Sequence, residues 1–449
     1  NYRDLSEPVH DLDEDTYEFL AEIAPEMMSQ THGPAGSLLP YFPGYEFKNG
    51  KSTYRGEEIG EGGLVRSKPG MYGNVALLDV TSMHPHSTML EVLFGVEFTR
   101  RFYEIVYGRV HIKNEAWESV NKMLDGKLTP YIQRVMNGEL SSDALATALK
   151  IAINSVYGLT AANFDNPFRD IRNKDNIVAK RGALFMVDLM NEVEARGFTV
   201  AHVKTDSIKI PDATIEIIDF VMEFGKRYGY TFDHEATYDR MCLVNDAVYI
   251  AKYADADKCQ DMYGYIPGKN KKKPNEWTAT GTQFAVPYVY KTLFSKEPIE
   301  FSDMCETKSV TSALYLDMNE KLPDVTLAEK ELDKVEKKFK NGEMSEGEYK
   351  VTKADLTSDI SEGHDYRFVG KIGNFCPVKP GVGGGLLVRE KNGKYYSAGG
   401  AKGYRWMESE MLRGENEDCI DKSYYNALVD GAIETIDKYG DFEMFVSES

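Results

Sequence analysis

The chain has 449 residues, 42% of them hydrophobic and 28% charged, with a formal net charge of −19 at pH 7. Such a composition fits a globular protein of about two to four domains, and no apolar run of about eighteen residues is present, so no membrane partner is expected. The acidic balance excludes a generally sticky nucleic-acid binder but not a local basic channel, because the field next to the ligand is what matters.

Residues 1–50 read as an acidic N-terminal segment with a helix over Asp13–Met28. Gly, Pro and Tyr crowd residues 31–75, which fit no helix. Within them Gly62-Gly63 permits close approach of another chain segment, or makes an ordinary surface loop. Val75–Leu78 then form a short apolar strand running into Asp79. Ser82, Met83, His84 and His86 follow, ahead of an apolar helix start. A tight segment there can offer backbone N–H groups to phosphate, and a carboxylate beside it can hold Mg²⁺. The plainer alternative for Asp79 is a helix cap or turn residue. Zinc on His84 and His86 lacks further His or Cys at a supporting spacing.

Residues 114–158 read as a helical hairpin. Its first arm carries Trp117, Val120, Met123 and Leu124, breaks near Gly126 and resumes after Pro130. The return arm starts at Ser141 or Ser142, both good N-caps, and ends at Gly158. Its expected buried face is Ala144, Leu145, Ala148, Leu149, Ala152, Ile153 and Val156. Lys150, Asn154 and Tyr157 fall at i, i+4 and i+7 and so share a stripe. A cation, an amide and an aromatic ring suit a nucleotide, although a solvated stripe has the same pattern.

A helix with apolar Leu184, Phe185, Val187, Leu189, Met190 and Val193 closes at Gly197. Phe198, Val200 and Val203 lead as a strand into the turn Lys204-Thr205-Asp206-Ser207, and Ile208–Ile210 return. An Asp at a hairpin tip between apolar strands is poorly explained by packing. A helix near Ile215–Tyr228, a strand toward Phe232 and a hairpin around Asn245-Asp246 follow. Lys269–Pro274 is a phosphate contact or an exposed loop. Residues 326–359 read as exposed helices around Asn341-Gly342. The stretch 367–405 is basic and glycine-rich, with Glu390 its single acid and Tyr395, Tyr396 and Tyr404 interleaved, Trp406 following. That mixture suits nucleic-acid backbone and stacking contacts. An amphipathic helix closes the chain over Lys422–Tyr439. The five cysteines show no CxxC or other metal spacing, and no secretory leader is visible, so a reducing, cytoplasmic setting is expected.

Taken in order, the pieces between roughly residues 50 and 255 resemble the polymerase region of family B DNA polymerases. The first metal motif of that family, Asp-x-x-Ser-Leu-Tyr-Pro-Ser, is similar to Asp79-Val80-Thr81-Ser82-Met83-His84-Pro85-His86. The fingers motif, Lys-x-x-x-Asn-Ser-x-Tyr-Gly, is intact as Lys150, Asn154, Ser155, Tyr157 and Gly158. The third, Tyr-Gly-Asp-Thr-Asp-Ser, is matched by His202-Val203-Lys204-Thr205-Asp206-Ser207. Gly62-Gly63 with Pro69 and Tyr72 looks like the Gly-Gly entry motif, and Phe232–Glu235 with Arg240 looks like the strand before the primer-gripping Lys-Lys-Arg-Tyr, whose Tyr would be Tyr249.

The resemblance implies an α+β right-hand fold. Its antiparallel-sheet palm would take residues 51–113 and 159–255, its helical-hairpin fingers 114–158, and its α/β thumb and C-terminal region 256–449. It implies template-directed DNA synthesis from a primer 3′ end by two-metal nucleotidyl transfer. Asp79 and Asp206 would be catalytic, and Asp79, Asp206 and Val80 would hold two Mg²⁺ ions, for which Mn²⁺ can substitute. Ser82, Met83, His84, Lys150, Asn154 and Tyr157 would bind the deoxynucleoside triphosphate. A further cation is expected from Lys122, Lys127 or Arg134. Thr205, Tyr249 and Lys252 would contact primer-template DNA. A separate exonuclease or processivity partner is expected, because nothing here corresponds to the family's proofreading domain, and a viral origin would place the protein in the host cytoplasm.

Three departures stand out. Lys204 occupies the place of the third motif's first Asp, His84 replaces the Tyr that excludes ribose 2′-hydroxyls, and Asp246-Ala247-Val248 replace Lys-Lys-Arg before Tyr249. The alternatives are a primase-polymerase or terminal transferase with relaxed sugar selection, or a catalytically inactive module that binds primer-template.

Overall fold

The structure is a computed structural model that describes Leu38 and residues 42–60, 62–91, 93, 96–166, 168, 176–320, 322–360, 363–401 and 403–448. The helix expected over Asp13–Met28 lies outside them. The chain divides into two units, Asn1–Thr280 and Gly281–Ser449.

In the first unit, β1 (Glu46–Lys48), β2 (Lys51–Tyr54) and β3 (Glu57–Ile59) form a small antiparallel sheet. After them come β4 (Val65–Ser67), β5 (Gly70–Val80) and five helices: α1 (Met83–Leu90), α2 (Val96–Lys113), α3 (Trp117–Lys122), α4 (Thr129–Met136) and α5 (Ser142–Thr160). Helix α6 (Ile177–Ala195), the hairpin β6 (His202–Lys204) and β7 (Ser207–Ile210), and helix α7 (Ile215–Arg227) come next. The unit ends with β8 (Phe232–Asn245), β9 (Val248–Tyr253), α8 (Ala256–Tyr263), α9 (Gly268–Lys272) and β10 (Trp277–Thr280).

Seven of these strands make one antiparallel sheet in the order β10-β9-β8-β5-β7-β6-β4. Its centre is β5, and alternation explains why so much of it is apolar. Ala76, Leu78 and Val80 join the large core that also takes α6 and α7, while Val75 and Leu77 join a second cluster with Ala236, Tyr238, Met241 and Leu243. Asp79 is the polar residue at which this strand stops being covered on both faces.

Helix α6 runs through the middle of the large core. Phe185 meets Phe224, Tyr228, Tyr230 and Phe232, with ring centroids 4.8–5.9 Å apart. Each such ring, buried, contributes about 1.5–3 kcal/mol. Two carboxylates are drawn into this region: Asp188 accepts hydrogen bonds from Tyr54, Arg55 and Tyr228 at 2.8–3.0 Å, and Glu91 accepts from Arg181 of α6 at 2.6 Å. Gly182 lets α1 lie directly on α6, since a Cβ there would stand 2.5 Å from the Met83 sulfur.

The helical insertion begins earlier than the sequence pattern suggested. Helix α2 buries Thr99, Phe102, Val106 and Ile112, and Gly108 approaches Leu149 of α5 and Leu128. Ser141 caps α5, its hydroxyl accepting from the Ala144 N–H at 3.1 Å. Helix α5 continues past Gly158 to Thr160, and Leu145, Ala146, Ile153 and Thr160 are buried, whereas Ala144, Ala148 and Ala152 face solvent. One-sided packing against α2 leaves the alanine side open. Residues 256–280, grouped with the second half on sequence, fall in the first unit because β10 extends the sheet at β9.

The second unit holds β11 (Glu306–Asp317), the helices α10 (Leu322–Lys340) and α11 (Glu346–Ile360), then β12 (Tyr366–Val378), β13 (Leu386–Lys391), β14 (Lys394–Ser397), β15 (Arg405–Glu408), α12 (Lys422–Asp437) and α13 (Phe442–Val446). Its five strands form an antiparallel sheet ordered β14-β13-β11-β12-β15. Leu314, Leu316, Phe375, Leu387, Trp406 and Tyr425 make its core. The α10–α11 hairpin turns at Asn341-Gly342 and is pinned by a Phe339–Tyr349 stack at 4.2 Å. Among the described residues, no helix is long and apolar enough to cross a membrane.

Candidate functional site

Strand register decides which carboxylates meet. Asp79, at the end of β5, lies opposite Ser207 of β7 on one side and Asp233 of β8 on the other. Directly opposed residues share a face, and Glu235, the extra residue where the β5–β8 register shifts between Leu77 and Leu78, comes close enough to raise both Asp79 and Asp233. Asp206 is brought in by the two-residue turn between β6 and β7, where Thr205 adopts φ 55°. The Val80 N–H donates to the Asp206 carbonyl at 2.8 Å, which fixes one aspartate against the other. Gly63, at φ +108°, permits the β6–β7 turn to come this close, since a Cβ there would meet Thr205 Cγ2 at 3.2 Å. The Thr205 N–H donates to the Leu64 carbonyl at 2.8 Å.

Crowding these acids changes their titration. Burial, then Asp206, Glu235 and Asp233, push the Asp79 carboxyl up to about 7, with Lys269 opposing. Burial also raises Asp206 and, with Glu235, Asp233. Two cations answer the acids. Lys269 on α9 pairs with Glu235 at 2.8 Å. Buried Lys209 donates to His202 Nδ1 at 3.1 Å and sits 4.6 Å from the Tyr249 ring centroid. Asp233, Glu235, Lys209 and Lys269 were not assigned to this cluster on sequence. The alternation Asp233-x-Glu235 was the available signal, but its partner strand was not legible.

Helix α1 starts at Met83 behind Ser82, which holds φ 51° and makes no side-chain cap. The Met83 side chain is buried against α6, so only its backbone belongs to the site. His84 stacks on Tyr157 of α5, ring centroids 5.1 Å apart and planes 10° apart. Its Nδ1 is buried without a hydrogen-bond partner among the described residues. Burial pulls the imidazole below its usual range while Asp206 opposes this. His84 therefore links the acid cluster to the stripe, on which Lys150 and Asn154 are exposed.

At the far end of that stripe the cations gather. The Lys113 ammonium, on α2, is held below the usual lysine range by burial, then by Arg109 and Lys150, with Lys272 of α9 adding to it and Asp143 opposing. Arg109 Nε is buried with no partner among the described residues. Lys122 and Arg134, two of the cations anticipated from the hairpin's first arm, form surface ion pairs with Glu118 and Glu139. The cations beside Lys150 come from α2 instead.

Helix α9 touches both ends, because it carries Lys269 and Lys272. Asn270 between them is buried and locks the helix to the sheet. It accepts from the Thr237 N–H at 2.9 Å and donates to the Thr237 and Ala254 carbonyls at 2.8 and 2.9 Å. Lys252 stands apart on β9, with its ammonium 5.7 Å from the Trp277 ring. Lys204 is exposed at the end of β6, opposite Val65.

No group of three or more His, Cys, Asp or Glu among the described residues gathers closely enough to hold a metal ion on its own. The donor set at the strand ends is nonetheless all oxygen, and burial first, then its surplus negative charge, raises Asp79. Oxygen donors of this kind are those that hard divalent cations take, and Asp79 and Asp206 are the residues that could hold one.

No protein-family model matches the chain, and no curated protein matches it in sequence. Among solved structures, the family B DNA polymerase from the hyperthermophilic archaeon Pyrobaculum calidifontis is similar with a TM-score of 0.37 and 13% identity, over 83% of this chain and 46% of that one. The chain thus spans less than half the length of that polymerase.

Proposed function

We propose that this chain is a template-directed DNA polymerase that extends a primer 3′ end by nucleotidyl transfer. One observation carries the reading: an acid cluster and a cation cluster stand at the two ends of the Lys150–Tyr157 stripe, joined by the His84–Tyr157 stack. From Tyr157 to Lys150 is two helical turns, roughly 10 Å along the axis, a span that suits a nucleoside triphosphate lying along it. In this reading the seven-stranded sheet is the palm, α2–α5 are the fingers, and the second unit contains the thumb.

The residues divide the work by chemistry. Asp79, Asp206 and Val80 would hold Mg²⁺, with Mn²⁺ an acceptable substitute. Bound there, the metal supplies Lewis-acid charge for the attacking hydroxyl and the leaving pyrophosphate. Lys150, Lys113 and Arg109 receive the outer phosphates; each is a cation held near others of its sign, which an anion relieves. Backbone N–H groups at Ser82 and Met83 orient the phosphates. His84 lies against the sugar and offers its unpartnered Nδ1 to it. Asn154 and Tyr157 line the nascent base pair. Thr205, Tyr249 and, further along β9, Lys252 face the primer-template.

A second reading, primase-polymerase or terminal transferase activity with relaxed sugar selection, is favoured by one residue: an imidazole at His84 is smaller than a phenol. Primer extension on a template of mixed sequence, with Mg²⁺ and the four deoxynucleotides, separates the two. The polymerase reading expects products complementary to the template. Untemplated addition would move the assignment to terminal transfer, and no incorporation with either Mg²⁺ or Mn²⁺ would overturn both.

A further inference from the structure

We propose that the β13–β14 hairpin and the adjoining bulge of β11 form a site for the phosphodiester backbone of unpaired nucleic acid. Ligand class is all that this inference takes from the polymerase reading. Two lysines face each other directly at the hairpin tip, Lys391 opposite Lys394, and beyond the Glu390–Tyr395 pair Arg389 lies opposite Tyr396. Alternation puts all four on one face of the hairpin. Like charges directly opposed across a strand pair destabilise it unless something neutralises them. No carboxylate does so among the described residues. Glu390 lies on the opposite face and accepts from the Gly393 N–H in the turn at 2.6 Å. All three cations are exposed, and the Tyr396 ring is 47% exposed beside them.

The bulge supplies the facing wall. Between Ser309 opposite Ile372 and Leu314 opposite Gly370, β11 carries the four residues Val310–Ala313 where β12 carries only Lys371. The slack backbone opens a groove of about 440 Å³ lined by Ser309, Val310, Thr311, Ser312, Arg389, Glu390 and Lys391. The Ser309 and Thr311 hydroxyls, with the Arg389 guanidinium and the Lys391 ammonium across the groove, match phosphodiester oxygens, while the Ser312 hydroxyl is already given to the Glu390 carbonyl. An exposed tyrosine beside a cationic track is a stacking surface for an unpaired base. Bases in a duplex are already stacked on their neighbours, so the aromatic ring selects a single strand.

The test is fluorescence anisotropy of a labelled oligothymidylate titrated with the full-length chain over a range of salt concentrations. Each phosphate contact with a single strand contributes about 0.7 to the slope of log K against log salt. Lys391→Ala/Lys394→Ala is expected to lower the slope by about 1.4 and the affinity about tenfold or more. Lys391→Arg/Lys394→Arg should restore both. Tyr396→Ala is expected to lose about tenfold in affinity with the slope unchanged. The charge-matched control Lys337→Ala/Lys338→Ala, on α10, should lose little. Unchanged binding in the hairpin variant, an equal loss in the control, or equal competition by a blunt duplex would each overturn the proposal. Asp206→Asn reads the other site: hairpin-dependent binding is expected to persist in it whatever happens to primer extension.

Discussion

In the proposed function, a proton and a metal ion would compete for the Asp79 carboxylate. Its pKa is raised in the folded chain to about 7, so its protonated form stabilises the fold. That contribution is complete below the ordinary carboxylate pKa of about 4 and is lost as pH rises through about 7. Asp206 and Asp233 are shifted the same way. In chelator, the thermal-unfolding midpoint of the parent should fall relative to that of Asp79→Asn between about pH 5 and pH 8; the comparison cancels the buried imidazoles of His84, His202 and His234, whose lowered values act in the opposite sense. Mg²⁺ at the alkaline end should raise the midpoint of the parent but not of the variant. A parent-minus-variant difference that grows with pH in chelator would contradict the raised carboxyl. In the proposed function, sugar selection would rest on a single side chain as well. For His84→Tyr the ratio of deoxyribonucleotide to ribonucleotide incorporation should rise; an unaltered ratio would remove His84 from the sugar. Asp79, Asp206 and the Lys150 stripe were legible in the sequence because their signals are local: an acid at a strand end, an acid in a hairpin turn, and an i, i+4, i+7 repeat. Asp233 and Glu235 were not, since they join the site through the β5–β8 register, which couples residues more than 150 positions apart.

Among the elements, the two most informative were the least visible. Helix α2 has an i, i+4 run, Phe98, Phe102 and Val106, but its aromatic and β-branched residues suit strands as well as helices. Which basic residues meet Lys150 depends on how α2 packs on α5, and spacing along the first arm cannot report that. Alanine at Lys113 or Arg109 is therefore expected to raise the nucleotide KM about tenfold with a smaller change in kcat, whereas alanine at Lys122 should change neither appreciably. Steady-state extension at varied nucleotide concentration distinguishes them, and equal effects at Lys113 and Lys122 would contradict the cation cluster. Helix α9 was read as a phosphate contact or a loose tract. Three hydrogen bonds from buried Asn270 make it a fixed arm instead. The apparent end of α5 at Gly158 was misplaced because packing against α2 carries the helix through that glycine to Thr160.

For the molecule as a whole, a net charge of −19 conceals a strong separation of sign. The first unit holds acids at its sheet end and cations on α2, α5 and α9, and the second unit has a basic hairpin with no acid on its face. Bulk composition excludes indiscriminate binding to polyanions, while these local fields permit selective binding. The α+β character of the chain was legible from period and turn residues, as were α7, the β6–β7 and β8–β9 hairpins and α12, whereas β1–β3, α2 and the five strands of the second unit were not. Membership of residues 256–280 in the first unit was not, because β10 joins the sheet only through its pairing with β9. The claim on which the rest depends is that Asp79 and Asp206 act as a pair in nucleotidyl transfer. Single-turnover primer extension with Mg²⁺, on the parent and on Asp206→Asn with primer-template binding measured in parallel, tests it directly. The expected result is a loss of rate of about 10³-fold or more with binding retained; extension by Asp206→Asn at a rate near that of the parent would contradict it.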